Sequence, residues 1–171
     1  MESEGIEMSK VATLLSFDTS TKDTGCAVFK NGKFTCSSTI NLSSEKNSDI
    51  RMNKMIESIY KMIENTKPFC VIAELTSVPR NADTQRKLTM ILGSIKGKCI
   101  EEKIDFVTYS PPEWRSLVKN TDEKVPRKRE LQKQWALDKC HEMGYVDIID
   151  DNEAEAILIG MAYIRQMNSY I

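Results

Sequence analysis

The sequence predicts an α/β domain on a mixed five-stranded sheet, and three features carry that expectation. Three β-type runs, residues 11–17, 26–30 and 33–40, open the chain, and Asn31-Gly32 between the last two is the strongest short-range hairpin signal. From residue 48 onward, segments with helical apolar spacing alternate with short β-type runs. Two of the runs, 11–17 and 69–73, lead into an acid, Asp18 and Glu74, where a buried strand should carry an apolar residue.

Residues 1–10 read as a flexible polar leader to a single domain that fills the rest of the 171-residue chain. Ile50, Met52, Met55, Ile56, Ile59, Tyr60 and Ile63 make 48–65 an amphipathic helix, closed by Thr66-Lys67-Pro68. The apolar, β-branched run 69–73 suits a central strand. A turn over 75–83 leads to a helix over 84–103 with Leu88, Ile91, Leu92, Ile95 and Ile100 on its apolar side. Gly93 and Gly97, four apart, share a face suited to close packing on the sheet or, less readily, to a dimer contact. Residues 105–109 form the fifth strand, and Pro111-Pro112 opens a short helix to residue 117. Pro126 opens a basic helix running to residue 142 that Gly144 ends. The last helix starts at Asp150-Asp151-Asn152-Glu153 and runs to residue 167. Asp150 and Glu153 have the spacing of a helix start, and acids suit the positive end of the dipole. That accounts for the first acids of the cluster but not for Glu155, inside the apolar run 154–162.

A composition of 40% hydrophobic and 29% charged residues is ordinary for a soluble globular protein. No apolar run approaches the roughly 20 residues a membrane helix needs, and the N-terminus lacks the basic and apolar regions of a signal peptide. The expected location is cytoplasmic, with no membrane partner. Cys26, Cys36, Cys70, Cys99 and Cys140 include no CxxC pair and read as small buried thiols. The single histidine, His141, has no cysteine or histidine at metal-ligand spacing, which argues against a structural zinc site and against Ser-His-Asp or Cys-His chemistry.

Net charge is −1, but its distribution is uneven. The stretch 115–139 holds Arg115, Lys119, Lys124, Arg127, Lys128, Arg129, Lys133 and Lys139 against Asp122, Glu123, Glu130 and Asp138. The stretch 143–155 holds Asp147, Asp150, Asp151, Glu153 and Glu155 and no base. Charge alone fits two solvated helix faces better than the other reading, phosphate binding beside a site for a divalent cation.

Acids at the ends of the first and fourth strands and at the start of the last helix converge if those strands are neighbours. Carboxylates crowded in one cleft repel one another and take up protons unless cations neutralise them. Oxygen donors without histidine or cysteine select Mg²⁺, with Mn²⁺ as a substitute, and two such ions about 4 Å apart support in-line displacement at a phosphodiester. The expected reaction class is metal-assisted phosphodiester hydrolysis.

Phe-Asp-Thr-Ser with Thr-Gly-Cys-Ala-Val-Phe, then Ile-Ala-Glu-Leu, then Asn-Ala-Asp-Thr-Gln-Arg-Lys-Leu-Thr-Met-Ile-Leu-Gly-Ser-Ile-Lys-Gly, and finally Asp-Asp-Asn-Glu-Ala-Glu-Ala-Ile-Leu-Ile-Gly resemble, in order, the motifs of RuvC-type Holliday junction resolvases. The resemblance implies a ribonuclease H-like fold with helices on both faces of the sheet, a homodimer, and Mg²⁺-dependent nicking of four-way DNA junctions, in a bacterial or phage protein. By motif match Asp18, Glu74 and Glu155 are similar to metal ligands of that family. The family usually has an acid or histidine three residues before the last of these, and the residue here is Asn152. Asp151, four before Glu155 on the same helix face, Asn152 through its amide oxygen, and Asp150 are the alternatives for the fourth ligand. Lys128 lies near where the family carries a lysine close to the scissile phosphate, and Arg80, Arg127 and Arg129 are candidates for backbone-phosphate contacts. Trp114 and Tyr109 are candidates for stacking on an unpaired base, though a Trp two residues beyond Pro-Pro suits core packing better.

Other readings fit less of the sequence. A ribonuclease H-like nuclease acting on other branched DNA, flaps or structured RNA would use the same acids. A non-catalytic DNA-binding module would not need Asp18, Glu74 and Glu155 together. An actin-like or sugar-kinase-like fold would need a second Asp-Gly phosphate loop, which the chain lacks.

Overall fold

The computed structural model describes residues 12–75 and 81–169; the leader 1–10 and Arg80 fall outside them. The elements are β1 (Thr13–Asp18), β2 (Asp23–Lys30), β3 (Lys33–Asn41), α1 (Ser48–Thr66), β4 (Cys70–Glu74), α2 (Ala82–Glu102), β5 (Asp105–Tyr109), α3 (Pro111–Val118), α4 (Arg129–Glu142) and α5 (Asp151–Asn168). They form one mixed five-stranded sheet in the order β3-β2-β1-β4-β5. The β1–β2 and β2–β3 pairs are antiparallel, and β4 lies parallel to both β1 and β5.

Local chemistry sets most boundaries. Asn31 and Gly32 both take positive φ, 52° and 74°, as the hairpin turn between β2 and β3 requires. Asn47, Asn81 and Asp150 each cap a helix by accepting two backbone N–H bonds, which satisfies donors the first turn leaves open. Gly144 ends α4 at φ 92°. That helix starts at Arg129 rather than at Pro126, because Lys128 is extended, with φ −80° and ψ 136°. Strand β2 starts at Asp23, earlier than its apolar run: Thr24 and Ser20 hydrogen-bond across the β1–β2 turn, so pairing reaches down to Asp18 opposite Gly25.

The period of two along each strand sorts the core into two layers. Leu15, Phe17, Cys26, Val28, Val71 and Ala73 pack against α1 and α2 on one face. Leu14, Ala27, Phe29, Cys70 and Ile72 pack against α3, α4 and α5 on the other. The same parity puts Asp18 on the face of Leu14 and Ser16, Glu74 on the face of Cys70 and Ile72, and Gly25 on the face of Ala27 and Phe29. All three positions therefore look toward α5.

Two expectations are corrected. Gly93 and Gly97 are exposed, and a Cβ at either would meet nothing within 4 Å, because α2 lies on the sheet through Ile91, Leu92, Ile95 and Cys99 instead. Cys36 is exposed, since β3 is an edge strand with a largely polar surface, while the other four cysteines are buried free thiols. Trp114 is fully buried, as the sequence favoured, and Tyr109 nearly so, which places both in the core rather than on a base-stacking surface.

Candidate active site

The site lies where β1 and β4 end side by side. Their parallel register pairs Phe17 with Ala73, so Asp18 and Glu74 project from adjacent strand ends at one level. The carboxyl ends of parallel strands are where open α/β sheets generally place ligands. Asp18 is 7% exposed, and Glu74 is half-buried.

Helix α5 brings the third acid. It lies close across β1 and β2: Ser16 Oγ donates to the Ala156 carbonyl at 2.7 Å, and a Cβ at Gly160 would stand 2.3 Å from the Phe29 ring. At Gly25 a Cβ would fall 1.9 Å from the Asn152 carbonyl oxygen, so only glycine lets the first turn of α5 settle there. That docking carries Glu155, fully buried, close enough for its charge to act on the Asp18 carboxyl.

Electrostatics follow from this convergence. Burial first, and then the charges of Glu155 and Glu74, push the Asp18 carboxyl well above its ordinary range. Burial also raises Glu74, opposed by the Trp114 indole, whose Nε1–H donates to Glu74 Oε2 at 2.7 Å. The Trp114 indole is fully buried in the core, so it fixes the Glu74 side chain from behind.

The basic and acidic stretches of the sequence meet each other here. Arg129 at the start of α4 grips both oxygens of Glu155, Nη1 on Oε1 at 2.7 Å and Nη2 on Oε2 at 2.8 Å. Buried Arg115 of α3, stacked on Trp114, adds Nη2 on Oε1 at 3.3 Å. One turn along both helices, Lys133 pairs with Asp151. Asp150 caps α5, Glu153 accepts a hydrogen bond from Ser37 Oγ on β3, and Asn152 sets its backbone against Gly25. Lys128 and Arg127 are exposed just before α4.

The approach to α4 is itself fixed. Glu123 receives the Trp135 indole N–H at 2.6 Å, the Asn120 backbone N–H at 2.8 Å and the nearly buried Lys139 ammonium at 2.6 Å. Beside it, Arg115, Lys119, Lys124 and Arg127 line a groove of about 590 Å³ between α3 and the start of α4.

Asp18, Glu74 and Glu155 thus come together, with Arg129 turned inward among them, while Asp151 faces Lys133. Glu123 and Gly25 were missed as site residues, while Trp114 was weighed only for core packing or base stacking and Arg115 only as part of the basic stretch. The sequence signal for Gly25 was its place in the Thr-Gly turn after the first acid. His141 Nε2 donates to the Ile148 carbonyl oxygen at 2.7 Å and takes no part in the acid cluster.

The donor set suits a hard divalent cation, because Asp18 and Glu74 are both pushed toward the neutral form by burial and by the charge of neighbouring carboxylates, Glu155 foremost, which such an ion would relieve. Among the described residues, no three acid, histidine or cysteine side chains already stand grouped as metal ligands. Glu155 is held by two guanidiniums and Glu74 by an indole.

No family model matches the sequence, and no curated protein matches it. Among solved structures, Thermus thermophilus RuvC in complex with a Holliday junction substrate aligns with 92% of this chain and 96% of its own at 12% identity, with a TM-score of 0.70. The yeast mitochondrial Holliday junction resolvase aligns over 93% of this chain and 81% of its own, at 15% identity and a TM-score of 0.60. The fowlpox virus resolvase, solved with its Holliday junction DNA, aligns over 90% and 99%, at 16% identity and a TM-score of 0.57. The chain therefore has the ribonuclease H-like fold in the form shared with RuvC-type resolvases.

Proposed function

We propose that this protein is a structure-selective endonuclease that resolves four-way DNA junctions by metal-assisted phosphodiester hydrolysis. The observation that carries the reading is the meeting of Asp18, Glu74 and Glu155, from three distant segments, at the carboxyl edge of parallel strands in this fold. Asp18 and Glu74 would hold the divalent ions, Mg²⁺ or Mn²⁺ and two per site, with Glu155 and an oxygen from the first turn of α5, where Asp151 and Asn152 stand. Bound ions supply charge neutralisation at the phosphate and acidify a water.

The chain's own residues supply the rest. Trp114 keeps Glu74 oriented, and Ser16, Gly25 and Gly160 hold α5 at the depth that brings Glu155 to Asp18. Arg127 and Lys128, exposed beside the cationic groove, are placed to hold backbone phosphates, which positions DNA without reading its sequence. Arg80 belongs to the same proposed set by motif match. A homodimer fits the bare face of α2, where Met90 and Ile100 are 50% and 69% exposed beside Gly93 and Gly97.

The test compares wild type, Asp18→Asn and Glu74→Gln on labelled junction, flap, duplex and RNA–DNA hybrid. Paired symmetric nicks in the junction alone, lost in both variants while gel-shift binding in Ca²⁺ persists, are the expected result. Wild-type cutting by either variant would sink the metal-site assignment. A non-catalytic DNA-binding module on the same fold is the second reading, favoured by the saturation of Glu155 with arginine contacts. Binding without cleavage by the wild type in Mg²⁺ and Mn²⁺ would select it.

A further inference from the structure

Glu155 and Asp151 lie four residues apart on α5, and Arg129 and Lys133 lie four apart on α4, so the helices face each other through two ion-pair rungs. The rung at Glu155 has an uneven build. Its carboxylate is fully buried, and Arg129 takes both oxygens in a fork. Of the two guanidiniums on Glu155, the Arg115 side chain is 9% exposed and locked on Trp114, whereas the Arg129 side chain is 49% exposed. Arg129 is the first residue of α4, next to the exposed cations Arg127 and Lys128. One guanidinium is built in, and the other belongs to a half-exposed side chain beside exposed cations.

We propose that Arg129 is a removable cationic cap on Glu155: a divalent ion has to displace it, and a DNA phosphate draws it away, so that metal uptake is coupled to substrate binding. This rests on the metal-dependent nuclease reading above. Arg129 and a bound ion would compete for the lone pairs of the same carboxylate and repel each other, so each weakens the other's hold. A phosphate presents the same forked acceptor geometry as the carboxylate, which makes it a suitable alternative partner for arginine. Because Arg115 stays in place, Glu155 keeps one charge partner when Arg129 leaves and is not stranded as a bare buried anion. Arg129 is thus a positioning residue that sets the order of assembly.

The test measures Mn²⁺ binding calorimetrically, with no DNA present, for wild type, R129Q, R129K and D18N. R129Q is expected to bind Mn²⁺ about fivefold more tightly than wild type, the scale of losing one half-exposed ion pair. R129K, with a single ammonium in place of the fork, should fall between them, and it carries the test if R129Q does not fold. A four-way junction with non-hydrolysable linkages should then tighten Mn²⁺ binding to the wild type and leave R129Q nearly unchanged. Equal or weaker Mn²⁺ binding by the Arg129 variants, with the wild type binding the ion, overturns the cap alone. Failure of wild type and R129Q alike to bind Mn²⁺, indistinguishable from D18N, overturns the nuclease reading and the cap with it.

Discussion

Replacing Gly25 with alanine separates the docking of α5 from the chemistry of the acids. The added Cβ would stand 1.9 Å from the Asn152 carbonyl oxygen and 2.4 Å from its carbon, and ordinary contact begins at 3.4 Å. The obstacle is backbone on both sides, so no side-chain rotation relieves it. The first turn of α5 has to retreat by about 1.5 Å, which carries Glu155 away from Asp18. Overpacking of this kind costs about 2–3 kcal/mol, or a fall of about 6–9 °C in Tm for a chain of this size. A displacement of about 1 Å in catalytic groups costs about a hundredfold in rate, so cleavage should fall at least that far with DNA binding little changed. Thermal denaturation followed by circular dichroism, gel shift in Ca²⁺ and junction cleavage read the three effects. Gly25→Ala with wild-type Tm and wild-type cleavage would refute the close docking of α5 on β2.

Other perturbations probe the site separately. Trp114→Phe keeps the buried ring but removes the indole donor; loss of a hydrogen bond to a charged group, about 2 kcal/mol, should lower kcat more than tenfold and move the pH optimum upward as the Glu74 pKa rises further. An unchanged pH profile would show that the indole does not tune Glu74. The raised Asp18 carboxyl binds its proton more tightly folded than unfolded, so its contribution to stability is complete below about pH 4 and is lost as pH climbs through the raised value. In EDTA the wild type should therefore melt at falling temperature as pH rises from about 4 through the raised value, and Asp18→Asn should flatten the decline; parallel curves would contradict the crowding of the acids. Arg127→Ala and Lys128→Ala should each weaken DNA binding equally across sequences and reduce the salt slope by about one, measured by fluorescence anisotropy at several salt concentrations. A slope unchanged in both would move the phosphate contacts elsewhere.

Much of this architecture was legible before any coordinates. Strand alternation, the Asn31-Gly32 turn and the helix start at Asp150 are short-range signals, written within a few residues of where they act. Asp18 and Glu74 stood out because an acid at the end of an apolar run violates the local pattern. Glu155 stood out for the same reason inside the apolar face of α5. The misplaced start of α4 is a boundary error: Pro126 is compatible with a first turn, and only the extended backbone at Lys128 excludes it.

The sequence by itself determined the order of elements, the strand end or helix on which each acid stands and the kind of chemistry that three carboxylates invite. The partners of those acids were decided only in three dimensions. Charge placed basic residues next to acidic ones along the chain, but not that Arg129 and Lys133 face Glu155 and Asp151, nor that a buried indole holds Glu74. The physical reason is range. Backbone propensity and periodicity act over a few residues, whereas Trp114 and Glu74 are 40 residues apart, and Ser16 and Ala156 are 140. Contacts at such separations exist only once the sheet has set its register and α5 has settled into the gap that Gly25 leaves.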